Sequence, residues 1–396
     1  LDRIEEVLKA PIIVEEKPDA KPLPEPVRGQ LRFNNVSFQY TTDKDHPVLR
    51  GIDCTLEPGK TYALVGPSGA GKSTFINLVM RFYDPTTGSI LLDGHDLRDL
   101  GLQDLRNQIA LVPQDPVLFN DTIMANIRLS RPDASKGDIF RAAQQANARE
   151  FIENEPDGFD TLVGDRGTRL SGGQKQRIGI ARAFAGNPAV VVADEPVSAL
   201  DVSVQAAVSQ LLMDIQREHR TTLLFISHDL SIVRYLSDRV VVMYLGHVVE
   251  QGSTEQVFSP PYHPYTEALL SAVPIADTRV KKRRIILDGD IPSALNPPSG
   301  CPFQTRCPRK AQVEGDLCET TLPPMRTLSD GHQVKCHLAQ SILDAMEAVI
   351  QTDAITAAAD EGADLLGSEA LKPGLIGRVR RALSRENSEK PALGSA

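Results

Sequence analysis

Three short stretches of the chain combine residue types and spacings suited to phosphate chemistry. In Gly66-Pro67-Ser68-Gly69-Ala70-Gly71-Lys72-Ser73, glycines let backbone N–H groups curl around an anion, Lys72 can reach the β- and γ-phosphates of a nucleotide, and Ser73 offers a hydroxyl to Mg²⁺. The stretch follows the apolar run Thr61 to Val65 and precedes the helical run Thr74 to Met80, a setting that distinguishes a P-loop from a glycine-rich surface turn. Asp194 and Glu195 end a second apolar run, Val190 to Ala193, which delivers two carboxylates to the sheet edge where phosphates sit. Asp194 is placed to bind Mg²⁺ through water, and Glu195 to polarise the attacking water as general base; without the upstream loop the pair would read as a solvated strand end. Leu170-Ser171-Gly172-Gly173-Gln174 presents backbone amides and the Ser171 hydroxyl ahead of a helix from Lys175 to Ala185, which serves either an anion or a plain helix cap.

These residues need a scaffold that brings strand ends to one edge. Strand-like runs at Thr61 to Val65, Val190 to Ala193, Leu223 to Ser227 and Val240 to Tyr244 alternate with helical stretches, the pattern of an α/β fold with a parallel sheet covered by helices. A Pro- and charge-rich stretch, Glu15 to Arg28, reads as a linker (1–28), and a domain carrying these motifs is expected over 29–252. Between Gln114 and Arg169 the β signal fades and segments such as Lys136 to Glu153 favour helix, so a helical subdomain is expected at about 114–173. After Gly252, Pro260, Pro261, Pro264, Pro292, Pro297 and Pro298 break regular structure, and four of the five cysteines fall between Cys301 and Cys336. A small irregular C-terminal module is expected over 253–340, then a helical and finally poorly ordered tail over 341–396.

At 396 residues the chain can bury a large core, and its 41% hydrophobic and 24% charged residues are those of a soluble globular protein. The net charge of −9 argues against nucleic acid as a partner. Its apolar runs are strand-sized, not the roughly 20 residues of a membrane span, and Leu1 to Val14 is too interrupted by charge for a signal peptide. The expected location is the cytoplasmic face of a membrane, as a peripheral subunit. A first residue of Leu rather than Met is expected of a piece of something longer. The run Lys281-Lys282-Arg283-Arg284 reads as a solvated linker or a phospholipid contact, and Leu375, Val379 and Leu383 would share a helix face beside Arg378, Arg380 and Arg381.

Taken together, the P-loop and the Leu170 to Gln174 stretch resemble the motifs of ABC ATPases, a resemblance that covers Gly29 to Gly252. It implies a P-loop NTPase fold that uses ATP and Mg²⁺. It also implies a second ABC ATPase domain, paired head to tail so that the P-loop of one and the signature of the other sandwich each nucleotide, and transmembrane permease subunits. By the same resemblance Tyr40 stacks on adenine, and the nucleotide contacts run from Gly66 through Ser73 to Thr74. Gln114 senses Mg²⁺ and the γ-phosphate where the membrane partner docks. Ser198-Ala199-Leu200-Asp201 links the two sites, and His228 contacts the γ-phosphate.

Phrases from Leu31 to about Ala185, such as Arg81-Phe82-Tyr83-Asp84-Pro85 and Val112-Pro113-Gln114-Asp115, resemble ABC exporters, and Leu1 to Pro11 resembles the stretch after an exporter's last membrane helix. From about Asn187 the resemblance passes to oligopeptide and dipeptide importer subunits, through Ser227-His228-Asp229-Leu230, His263-Pro264-Tyr265-Thr266 and Leu287 to Pro308. An energy-coupling subunit for peptide uptake is the reading this C-terminal resemblance implies; an exporter motor for lipids, drugs or peptides is the alternative, and a mechanical ABC ATPase a distant third. Cys301, Cys307, Cys318 and Cys336 lack the paired C-x-x-C of ordinary zinc sites. A [4Fe-4S] cluster, as thought to occur in some peptide-importer subunits, zinc, and plain thiols remain open for them.

Overall fold

A computed structural model describes residues 12–40, 46–198, 200–273 and 283–350. Leu1 to Pro11, Ala199, Lys281-Lys282 and the C-terminal Leu375, Val379 and Leu383 lie outside the described residues. Strands are numbered in chain order: β1 Leu31–Phe38, β2 Leu49–Leu56, β3 Thr61–Val65, β4 Thr87–Leu92, β5 His95–Asp96, β6 Ile109–Val112, β7 Val190–Asp194, β8 Thr222–Ile226, β9 Arg239–Tyr244, β10 His247–Ser253, β11 Met325–Ser329 and β12 His332–Lys335. They form two sheets. One is antiparallel, in the order β2-β1-β4-β5; the other runs β11-β12-β10-β9-β3-β8-β7-β6, and its β9, β3, β8, β7 and β6 are mutually parallel.

The continuous apolar runs become the parallel strands because both of their faces are covered, and every residue of β3 and of β8 is buried. Between the sheets lies helix α1, Lys72–Val79, whose Phe75, Ile76, Leu78 and Val79 are buried. Phe33 of β1 stacks on Phe75 with ring centroids 4.1 Å apart, joining the antiparallel sheet to the helix that follows the P-loop. At roughly 1.5–3 kcal/mol for each fully buried large apolar side chain, this layer fixes the first turn of α1 far more firmly than its short length could.

The helical region carries α2 Ile123–Arg128, capped by Thr122, and α3 Lys136–Gln145, opened by a capping box of Ser135 and Asp138. Both pack on α4, Gly172–Phe184. The stretch expected to favour helix, Lys136 to Glu153, is helical in two pieces: α3 stops at Gln145, a second helix occupies Arg149–Glu153, and Asn147 between them sits at φ 49. A left-handed Asn ends a helix at small cost, which apolar periodicity alone does not reveal.

The Pro- and Cys-rich segment is not set apart from the sheet. Described residues up to 273 and from 285 to 347 form one compact unit, and the β11–β12 hairpin extends the large sheet through Glu250 opposite Val334 and Gln251 opposite Gln333. Glu250 is fully buried there; His332 Nε2 lies 2.8 Å from Glu250 Oε1, and the His263 backbone N–H donates to Oε2 at 2.9 Å. His263 in turn caps helix α5, Pro264–Ala272, accepting the Tyr265 N–H on Nδ1 at 3.0 Å. Within α5, the buried Glu267 holds Arg309 by two hydrogen bonds of 2.7 Å. A carboxylate stripped of water needs such partners, so these pairs specify how hairpin, helix and sheet meet.

Burial keeps His263 neutral, pushing it down to about 3, and burial with the charges of Lys335 and Arg50 does the same to His247. Their folded values lie below the ordinary 6.5, so the unfolded chain binds the extra protons in between. Their contribution to stability is therefore complete above 6.5 and is lost as the pH falls toward 3. The urea midpoint should drop between about pH 7 and about pH 5. His263→Asn, which keeps a cap acceptor, should flatten that drop, and an equal drop in both proteins would exclude His263 as its source.

Candidate functional site

At the carboxyl end of β3 the chain turns into the P-loop and then into α1. Gly69 and Gly71 take φ of 77° and 99°, a region costly for side chains, and a Cβ on Gly71 would meet Leu49 Cδ2 at 2.7 Å. The loop is tied across to the next turn by the Gly246 N–H, which donates to Ala70 O at 3.1 Å. Lys72 folds back on the loop, its ammonium donating to Gly66 O at 2.8 Å and Pro67 O at 2.9 Å. Burial lowers its pKa, while Glu195 and Asp194 oppose that shift. An anion in the loop would give this half-buried ammonium a stronger partner than two neutral carbonyls.

The parallel register brings the other groups to the same edge. Asp194, last residue of β7, is half buried, and its carboxyl is raised by burial, then by Glu195, against the lowering effect of Lys72. Glu195 follows with φ 44, its N–H held by Ile226 O at 3.2 Å, so its side chain leaves the strand axis toward the loop after β8. His228 stands in that loop, with Nδ1 3.3 Å from Glu195 Oε2. The P-loop from Gly66 to Thr74, Asp194, Glu195, Ser227 and His228 line one cavity of about 620 Å³, within the usual range for small-molecule sites. Ala70 is buried and does not line it.

Mg²⁺ favours hard oxygen ligands and keeps several of its waters. The Ser73 hydroxyl and the Asp194 carboxylate supply such oxygens on the wall of one cavity, and a cation would relieve the strain of placing Asp194 beside Glu195, so these residues fit the ion.

Other expected residues stand elsewhere. Tyr40 is half buried, edge-on to Phe38 and Tyr83, and its hydroxyl lies 3.0 Å from Thr74 Oγ1; it does not line the cavity. Gln114 is exposed, just beyond β6. Ser171 caps α4, accepting the Gln174 N–H at 3.3 Å, while Gln174 Oε1 accepts the Ser171 N–H at 2.9 Å. The cap reading of this stretch is therefore realised, with Ser171 and Gly172 exposed and Leu170 buried. Gly173 lies close to the next helix, where an added Cβ would be 3.0 Å from Val204 Cγ1. Asp201 caps the helix Val202–His219 through the Val204 N–H at 3.0 Å. Leu170 to Gln174, Gln114 and Asp201 do not line the cavity. Sequence reasoning did not anticipate that Tyr265 and Leu269 of α5 line it; an i, i+4 spacing puts two residues on one helix face but says nothing about what that face covers.

Cys301, Cys318 and Cys336 are buried and Cys307 is half buried, all as free thiols. Among the described residues no group of three or more His, Cys, Asp or Glu side chains is arranged to hold a metal ion, so the four cysteines as placed do not fit a [4Fe-4S] cluster or zinc. Burial pushes Cys301 and Cys307 up to about 12, with the neighbouring cysteines adding to the shift.

Among the described residues no helix is long and apolar enough to cross a membrane. Residues 49–198 match the family described as ABC transporter, and 249–313 that described as oligopeptide/dipeptide transporter, C-terminal region. A probable peptide ABC transporter ATP-binding protein of Sinorhizobium fredii is 41% identical over 300 residues, 74% of this chain and 83% of the relative. The oligopeptide transport ATP-binding protein AppF of Bacillus subtilis is 41% identical over 74% of this chain and 90% of its own. A putative multidrug export ATP-binding/permease protein of Staphylococcus aureus is 47% identical over 59% of this chain, but only 39% of that protein is covered. Among solved structures, a bacterial Atm1-family ABC exporter with ATP bound superposes with a TM-score of 0.58 at 39% identity, covering 64% of this chain and 43% of that one. Identity of this extent over most of two relatives, on a fold that gathers the phosphate loop and its carboxylates in one cavity, means that the chain belongs to the ATP-binding, ATP-hydrolysing subunits of ABC transporters.

Proposed function

We propose that the chain energises peptide uptake from the cytoplasmic face of a membrane, as a peripheral subunit bound to transmembrane permease subunits and paired with a second ATPase domain. The observation that carries the peptide reading is the match of 249–313 to the C-terminal region of oligopeptide/dipeptide transporters, on a segment whose helix α5 also lines the nucleotide cavity. Pairing of two domains accounts for the position of Ser171, Gly172, Gly173 and Asp201 outside the cavity of their own chain, since the resemblance has the signature of one domain complete the site of the other.

In the proposed reaction Lys72 leaves the Gly66 and Pro67 carbonyls for the β- and γ-phosphates, and loop amides from Gly69 to Ser73 hold the remaining oxygens. Mg²⁺, held by Ser73 and Asp194 with Gln114 approaching, would neutralise charge that builds on the phosphates. Glu195 accepts the proton of a water that attacks the γ-phosphorus as the bond to the ADP oxygen breaks, and His228, 3.3 Å from Glu195, orients that carboxylate and the γ-phosphate. Tyr40 is left as the adenine-side aromatic, which requires its ring to turn outward from Tyr83. In a reconstituted assay, a peptide importer's membrane subunits with peptide-loaded binding protein should stimulate the ATPase. Glu195→Gln should bind MgATP yet lose about a hundredfold or more in turnover. Stimulation by exporter membrane domains alone would replace import with export, and near-normal turnover of the Gln variant would remove Glu195 from the chemistry.

For the cysteine cluster the supported reading is packed, protonated thiols. At pH near 8 a thiol of pKa about 12 is thiolate in roughly one molecule in ten thousand, so Cys301 and Cys307 should alkylate at least about tenfold slower in native than in unfolded protein. Brown protein with about four irons per chain after anaerobic purification would overturn this reading.

A further inference from the structure

The nucleotide cavity has one wall that does not come from the P-loop or the strand ends that follow it. Tyr265 and Leu269 lie one helical turn apart on α5, and both line the cavity. Tyr265 is nearly fully buried, whereas Leu269 is half buried. The helix cannot shift independently of either neighbour. Toward the sheet, the Tyr265 ring packs on Tyr244 with centroids 4.8 Å apart, and Tyr244 ends β9, the strand paired with the P-loop strand. Toward the C-terminal segment, Tyr265 packs on Phe303 at 5.4 Å, and Glu267, two residues on, is clamped by Arg309. Phe303 also packs on Tyr244 at 5.2 Å, so the three rings form one buried cluster under the cavity wall.

We propose that α5 is a positioning element of the nucleotide site, in which Tyr265 and Leu269 form an apolar wall whose place is set by the clamp of the C-terminal segment on Glu267, so that this segment tunes ATP affinity. The inference rests on the reading of the cavity as the ATP site. Its physical basis is that an apolar wall excludes water from a phosphate site and strengthens every charge interaction inside it. A wall that retreats lets water in and weakens Lys72 and the loop amides without touching them. Arg309 is the lever: its guanidinium gives the buried Glu267 carboxylate two charge-assisted hydrogen bonds that tie α5 to the C-terminal segment, and removing it loosens that tie.

The test is MgATP binding by calorimetry on the full chain, with far-UV circular dichroism and a thermal midpoint for each variant. Leu269→Ala should raise Kd for MgATP several-fold while leaving the midpoint within a few degrees, because the side chain is only half buried. Leu269→Met, which restores volume, should recover most of the affinity. Arg309→Met should raise Kd in the same direction although Arg309 does not line the cavity. Lys72→Ala separates the two levels of the argument. If it too binds MgATP like the unaltered chain, the cavity is not the ATP site. If it abolishes binding while Leu269→Ala and Arg309→Met bind normally, the cavity reading stands and the role of α5 is refuted. Should Arg309→Met fail to fold, Arg309→Lys, which keeps the charge but only one of the two hydrogen bonds, carries the same comparison.

Discussion

Strand β3 has no face toward water: all five of its residues are buried, with β8 on one side and β9 on the other. Its last residue, Val65, pairs with Val242, and Gly66 then lies so close to β9 that a Cβ would come within 2.4 Å of the Met243 carbonyl oxygen. The backbone can therefore turn out of the sheet only where there is no side chain. Everything the site does follows from that turn, since it sets the origin of the P-loop, aims the loop at the ends of β7 and β8, and hands the chain to α1, whose Phe75 is locked by Phe33. The charges are arranged around this fixed point. Asp194 and Glu195 repel each other and are only partly offset by Lys72, whose ammonium donates its hydrogen bonds to two neutral loop carbonyls. Such an arrangement is poised for a ligand bearing phosphates and a divalent cation.

Much of this was legible in the residues. The runs Thr61 to Val65, Val190 to Ala193, Leu223 to Ser227 and Val240 to Tyr244 are β3, β7, β8 and β9 to within a residue or so, because strands buried on both faces must be continuously apolar. The loop, the two carboxylates and His228 share a cavity because parallel strands deliver their carboxyl ends to one edge. Other features had no sequence signal of their own. The β11–β12 hairpin is short, half exposed and flanked by prolines and cysteines, and it is held by Glu250 and His332, two residue types that composition places on a surface. The break at Asn147 depends on one left-handed residue within an otherwise helical stretch.

The signature stretch shows where local chemistry leaves two functions superimposed. Ser171 and Gln174 satisfy each other as a capping box, and Gly173 packs closely against Val204, so the stretch has a structural reason to be there in the single chain. Ser171 and Gly172 at that helix start are exposed, which on the proposed pairing leaves them open to an anion brought by a second domain. The same economy holds for α5, which closes the sheet on one side and borders the nucleotide cavity on the other. Peptide-transporter relatives and an exporter relative both align with this chain, and the phosphate chemistry is common ground between them. The match to the oligopeptide/dipeptide transporter C-terminal region begins at residue 249, within β10.

The claim on which the account rests is that the close passage of Gly66 under β9 positions the phosphate loop. The most direct measurement is the affinity of Gly66→Ala for MgATP by calorimetry, with circular dichroism to show the α/β fold retained. A methyl group 2.4 Å from the Met243 carbonyl oxygen must push the loop away from the strand ends, and the account predicts binding at least about tenfold weaker in a folded chain. Binding equal to that of the unaltered chain would contradict it.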